Sequence, residues 1–148
     1  MLVQQILKDK DGDKAGEGVV TITPSASVGE AAKVLSAKRI GALIVSNDGT
    51  DVQGILSERD IVRAIGAGGP GCLADPVTSL MTAEIISATR DETVQSVLGK
   101  MTQGRFRHMP VMDGAAMVGL ISIGDVVKAQ LAELSMEKEA LEGMIKGF

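Results

Sequence analysis

Aromatic residues are nearly missing from this chain of 148: it has Phe106 and Phe148, and neither tryptophan nor tyrosine. A row of stacked rings, the usual platform for single-stranded bases, is therefore excluded. Any planar ligand would have to lie between aliphatic side chains. Cysteine and histidine occur once each, as Cys72 and His108. No intrachain disulfide, no cysteine-based zinc cluster and no familiar thiol-protease pair can be assembled from them. Basic residues are outnumbered 15 to 19, giving a net charge of −4, so the basic face of a generic nucleic-acid binder is not expected. Long apolar runs are missing too. Stretches such as Gly41–Val45 and Met117–Ile121 fall far short of the ~20 residues that span a bilayer, and the start MLVQQILKDKDGD lacks a signal-peptide core. The expectation is a cytoplasmic protein with neither a membrane nor a nucleic acid as partner.

Catalytic signatures are equally scarce. No GxSxG elbow, P-loop or HExxH is present. Gly66-Ala67-Gly68-Gly69-Pro70-Gly71 satisfies GxGxxG literally, but it follows a helical pattern, contains proline and opens no clear helix, so it reads as a flexible connector. Asp9-Lys10-Asp11-Gly12-Asp13 hints at a calcium loop. Lys14 replaces the required glycine, however, and Val20 stands where the bidentate glutamate belongs, leaving a solvated turn. No catalytic residue, no metal site and no enzyme activity are expected.

What the chain does contain is a repeat. Val19–Ile65 matches Ile85–Leu131: Val28 aligns with Val94 and Val45 with Val111 at an offset of 66, then Gly54 with Gly119, Ser57 with Ser122 and Asp60 with Asp125 at an offset of 65. One residue is lost in the turn between paired strands, a change that loops accept. Each copy reads as strand, helix, strand, strand, helix. In the first, Ser27 starts a helix as a capping box with Glu30, and Val28, Ala31, Ala32 and Leu35 recur at helical spacing. Gly41–Ser46 and Val52–Ser57 are strands around the turn Asn47-Asp48-Gly49. The second helix starts at Ser57 and should carry Ile61, Val62 and Ile65 inward. The last helix starts near Ser122 and extends toward Lys146.

The fold class is therefore α/β in the α+β sense. The expected parts are residues 1–68, a Gly/Pro-rich connector over 69–76, residues 77–134 and a helical extension over 135–148. A half of about 60 residues would be marginal alone, so the halves are expected to pack by pseudo-two-fold symmetry and form two clefts suited to ligands.

The repeated segments GILSERD (Gly54–Asp60) and GLISIGD (Gly119–Asp125) sit at the junction of a strand end and a helix start. One copy alone is a plain capping box. In both, helix N–H groups and the dipole favour anions and hydroxyls, and a carboxylate there can accept from the vicinal hydroxyls of a ribose. GILSERDIVRAI, GRFRHMPV and GLISIGDVVKAQLAELSMEKEAL resemble segments of stand-alone bacterial proteins carrying a tandem pair of CBS (cystathionine-β-synthase) motifs, a Bateman module, and the resemblance covers essentially the whole chain.

The resemblance implies a regulatory module that binds adenine ribonucleotides. It assigns Asp60 and Asp125 to ribose, with Ser57 and Ser122 beside them. Thr21, Ile22 and Ile44 in one half, and Ser87, Ala88 and Pro110 in the other, would line the base pockets. Gly104–Pro110 resembles the basic strand that points cations at phosphate in such proteins, with Arg107 and His108 as the contacts; Arg39 and Arg59 are further candidates. The first repeat has Gly41-Ala42-Leu43-Ile44 at the aligned positions, so the two sites should be unequal. AMP is the expected ligand, with ADP, ATP, NAD(H) and S-adenosyl compounds as alternatives, and an energy or redox sensor acting on a regulated protein partner is the function. The competing reading is a scaffold or dimerisation module with vestigial clefts. Val127, Leu131, Leu134, Leu141 and Ile145 form an apolar stripe that covers either the chain's own core or a second copy, and the resemblance favours a homodimer.

Overall fold

The computed structural model describes residues 1–13 and 18–145. In chain order the elements are α1 (Val3–Asp13), β1 (Thr21–Ile22), α2 (Val28–Lys38), β2 (Ala42–Val45), β3 (Gly54–Ser57), α3 (Glu58–Gly68), α4 (Val94–Gly104), β4 (His108–Asp113), β5 (Ala116–Ser122) and α5 (Ile123–Ile145), with 3-10 turns at Pro70–Ala74 and Val77–Ser79. No described helix is long and apolar enough to cross a membrane.

The residues group into two compact units. The first unit gathers described residues 18–86 and 113–118; the second gathers 1–13, 87–112 and 119–145. In the first, β1 runs parallel to β2 and β2 antiparallel to β3, with Ile22 opposite Val45 and Ile44 opposite Ile55. Strand alternation sends Leu43, Val45 and Leu56 to one face, where they join Val28, Ala31, Leu35, Ile61 and Val77 in a buried cluster. Ser27 caps α2 by accepting the Glu30 N–H at 3.1 Å, and Thr93 does the same for α4 with the Ser96 N–H. Two inward assignments fail: Ile61 is buried, but Val62 is 68% and Ile65 37% exposed. Val62 lies a full helical step of 100° from Ile61, which carries it off the narrow stripe facing the sheet.

The second unit repeats the register but not every hydrogen bond. Ala88 pairs with Val111 as Ile22 pairs with Val45, and the Met112 N–H reaches Ala88 O as the Ser46 N–H reaches Ile22 O. In the first unit the Ile44 N–H also donates to Val20 O. The residue aligned with Ile44 is Pro110, which has no N–H to give. The expected first strand of the second repeat accordingly shrinks to a single bridge.

The grouping in space differs from the order in sequence. The Val94 N–H donates to Met1 O and the Val3 N–H to Glu92 O, while the Val28 N–H donates to Asp75 O and the Val77 N–H to Ala26 O. Each repeat is thus bordered by the segment that precedes the other repeat in the chain. The two segments match as Val3-x-x-Ile6-Leu7 and Val77-x-x-Leu80-Met81, with Val3 and Val77 both fully buried. They also explain two glycines. A Cβ on Gly54 would overlap Met81 Sδ, and one on Gly119 would come within 2.5 Å of Leu7 Cδ2. The expected turn over Asp9–Asp13 is helical instead, as the end of α1; Lys14 of that motif lies outside the described residues. The connector is ordered too, with Gly69 at φ +83° ending α3 and Pro70 opening a 3-10 turn.

Both C-terminal caps of the repeat-initial helices are arginines in the left-handed region, Arg39 at φ 53° and Arg105 at φ 55°. The next N–H in each case bonds back across the end of its helix, Ile40 to Leu35 O and Phe106 to Met101 O. A side chain in this conformation costs roughly 1–2 kcal/mol, offset in part by the freedom glycine loses on folding. Arg39→Gly and Arg105→Gly should each raise stability by roughly 0.5–1 kcal/mol, read as a Tm gain of about 1–4 °C. A fall in Tm would mean that the arginine side chain contributes more than its backbone costs.

Candidate functional site

The two strand-to-helix junctions that the repeat marks are built alike. In the first unit, Ser57 ends β3 and caps α3: its Oγ accepts the Asp60 N–H at 3.2 Å, while Asp60 Oδ2 accepts both the Ser57 N–H and the Ser57 hydroxyl at 2.9 Å. The Glu58 N–H donates to Gly41 O. In the second unit the Ser122 Oγ accepts the Asp125 N–H at 3.1 Å, Asp125 Oδ2 accepts the Ser122 N–H at 2.8 Å, and the Ile123 N–H donates to Arg107 O. The capping reading of both motifs is therefore real. It does not exhaust the carboxylates: the two lone pairs of Oδ2 are taken in each, and among the described residues neither Oδ1 accepts a hydrogen bond.

Thr21, Ile44 and Ile55 stand opposite one another across the sheet, and Ser57 follows Ile55 by two residues. Period-2 alternation therefore puts Thr21, Ile44 and Ser57 on one face, opposite the core cluster. Ile22 lies on the other face and packs against that cluster. Ile44 has no exposed surface and Ala88 is 1% exposed; Pro110 is also buried, and Ser87 is half-buried. Arg59 is exposed in the first turn of α3. Arg107 is exposed, and its carbonyl anchors it one hydrogen bond from the first residue of α5, with half-buried His108 next to it at the head of β4. The basic run is thereby held at the Ser122–Asp125 junction, where the first unit has Gly41.

Arg39 belongs elsewhere. It lines a groove of about 550 Å³ between α2 and α3, with Leu35, Ile40, Glu58, Ile61 and Val62. None of the residues assigned to base or ribose lines this groove. An apolar floor flanked by one cation and one carboxylate suits a protein side chain better than a nucleotide.

One neighbour of the second junction escaped the sequence reading. Lys10 Nζ donates to Asp125 Oδ2 and to Leu120 O, each at 2.8 Å. Burial pushes the Asp125 carboxyl upward, but hydrogen bonds from Lys10 and Ser122 and the ammonium charge outweigh it and hold the group below the usual carboxylate value. Because the folded group titrates lower than the unfolded one, its stabilising contribution is present above the unfolded value of 3.8 and is lost as pH falls from there through the folded value. The signal for Lys10 was the Val-x-x-Ile-Leu pairing noted above.

The sequence profile of the CBS domain matches residues 16–67 and 77–132. The mitochondrial CBS domain-containing protein CBSX3 of Arabidopsis thaliana is 33% identical over 149 aligned residues, covering 98% of this chain and 72% of that protein. Among solved structures, a CBS-domain protein of Agrobacterium tumefaciens superposes with a TM-score of 0.80 at 40% identity, covering 88% of this chain and 99% of that one. The CBS domain pair of the protein MJ0100, solved in complex with 5′-methylthioadenosine and S-adenosyl-L-methionine, superposes with a TM-score of 0.74 at 25% identity, over 90% of this chain and 98% of that one.

Proposed function

The chain belongs to the CBS-domain family, and on that premise we propose that it is a cytoplasmic regulatory module, not an enzyme, that binds an adenine ribonucleotide and passes the occupancy on to a protein partner. The observation that carries this reading is the pair of aspartates at equivalent helix starts. Among the described residues each keeps one carboxylate oxygen without a protein donor, at the positive end of a helix and, in the second unit, near Arg107, whose carbonyl accepts the Ile123 N–H. The adenosyl ligands of MJ0100 support an adenosine-type ligand in general; AMP is our specific choice, because Arg107 and His108 flank the second junction and add a place for phosphate.

AMP should bind more tightly than adenosine, and Arg107→Ala should remove most of that difference. Arg107 is exposed, so screening holds its contribution to roughly two- to tenfold rather than the larger value of a buried charge-assisted bond. Calorimetric titration of AMP and adenosine into the native protein checks this. Equal affinities would remove the phosphate assignment and leave an uncharged adenosine derivative as the candidate.

Self-association fits the exposed helix faces. Leu131 is 62%, Leu134 50% and Leu141 59% exposed on α5, so the stripe does not cover the chain's own core. A homodimer through such faces is part of the proposal. Light scattering should give twice the chain mass, falling to a monomer on truncation after Glu133; a monomer before truncation would reject it.

A further inference from the structure

We propose that α1 is a latch on the second junction: Lys10 pairs with Asp125 as a built-in ligand, so that nucleotide binding there competes with Lys10 and loosens α1. This rests on the ribose reading of Asp60 and Asp125 and deepens it. The asymmetry is in the contacts. Asp60 Oδ2 is satisfied wholly by its own Ser57, from the N–H and the hydroxyl. Asp125 Oδ2 takes one bond from Ser122 and one from Lys10, which is 115 residues away in the chain. Lys10 also donates to Leu120 O, so two of its three N–H groups are spent on the strand end and helix start that would receive the ligand.

The neighbouring packing holds the lysine there. Leu7, one turn earlier on α1, sits where a Cβ on Gly119 would be, and the Val3 and Gln4 N–H groups are bonded to Glu92 O and Arg90 O. Among the described residues the first junction has no counterpart. The matched segment supplies Met81 in place of Leu7, but its helical part ends at Ser79 and the position matched with Lys10 is Glu84, which is exposed. A carboxylate there cannot pair with Asp60. The two sites therefore differ in a way unrelated to the basic run: among the described residues no cation pairs with Asp60, whereas the Lys10 ammonium already neutralises Asp125, so its remaining oxygen is the weaker acceptor for ribose hydroxyls until Lys10 is displaced.

The test isolates each junction with AMP as the probe. In an Asp60→Asn chain, binding reports the second junction, and adding Lys10→Met should tighten AMP about tenfold. In an Asp125→Asn chain, where binding reports the first junction, the same change should leave affinity unaltered. Lys10→Gln, which keeps a neutral donor on a side chain one atom shorter, should fall between. Melting curves on every variant verify folding. Hydrogen–deuterium exchange of α1 in the native protein gives a readout independent of any stability difference between the altered chains: saturating AMP should speed exchange of the α1 amides. Binding weakened by Lys10→Met, or α1 amides slowed by AMP, would make Lys10 a ligand contact and overturn the latch. An equal effect of Lys10→Met in both backgrounds would also overturn it. If no protein, native included, binds AMP, the AMP reading and the latch fall together; if the native chain binds AMP and Lys10→Met changes nothing, the latch alone falls.

Discussion

The native protein should bind AMP roughly five- to 150-fold more tightly than 2′-deoxy-AMP, and Asp60→Asn should erase most of that preference at the first junction. Asp60 Oδ2 is already committed to the Ser57 N–H and hydroxyl, so the ribose can be received only by Oδ1. An ionised oxygen there offers two lone pairs to the 2′ and 3′ hydroxyls. Deleting the 2′ hydroxyl leaves an acceptor unpaired in a half-buried place, at about 1–3 kcal/mol, which gives the fold-change above. Asparagine keeps one acceptor oxygen for the cap but presents an N–H₂ or a neutral oxygen to the sugar. If Asp60 only caps α3, the substitution alters stability modestly and leaves both nucleotides bound as before. Calorimetry of AMP and 2′-deoxy-AMP on the native and Asp60→Asn proteins, with melting curves alongside, separates the two. Equal binding of both nucleotides by both proteins would leave a bare capping box.

Leu56→Ala and Ile121→Ala should each cost about 2–5 kcal/mol, a large share of the roughly 5–15 kcal/mol that holds a protein of this size. The positions are equivalent, 65 residues apart, in the strands that end at Ser57 and Ser122, and both side chains are fully buried. Leu56 sits among Leu43, Val45, Ile61 and Val77, a packing in which a lost isopropyl group leaves a cavity that rigid neighbours cannot close. Each strand also delivers its serine and aspartate to the helix start, so the damage should reach ligand affinity as well. Urea titration measures the cost. A loss under 1 kcal/mol at either position would mean that the site collapses around alanine, and that the junction does not depend on this packing.

The legible parts of the fold were those written locally and written twice. The Ser27 and Ser57 caps, the strand pair around Asn47-Asp48-Gly49 and the start of α5 follow from side chains within a few residues of one another, and the duplicate copy confirmed each against chance. The turn itself is organised by Asp51, whose carboxylate accepts from the Ser46 hydroxyl and the Asn47 and Asp48 N–H groups. Where an element depended on one missing atom, the reading was incomplete: Pro110 removes a ladder N–H and reduces a strand to a bridge. Where it depended on which side of a helix met the sheet, it erred, as at Val62. Among the candidate base contacts, Thr21 and Ile44 share the face of Ser57, whereas Ile22 turns to the core, because successive residues of a strand point opposite ways.

By itself the sequence determined the repeat, its secondary elements, the paired Ser-x-x-Asp helix starts and the family, because hydrophobic periodicity, capping chemistry and duplication are properties of neighbouring residues. Only the tertiary structure decided that the segments 1–13 and 75–82 border the repeats they do not precede, and that Lys10 meets Asp125 while Asp60 is left to its own serine. The Lys10–Asp125 contact joins residues 115 positions apart. No local preference encodes such contacts: they arise because a buried Val3 or Val77 and a glycine with no Cβ leave one place for each segment to pack, and the charges it carries go with it.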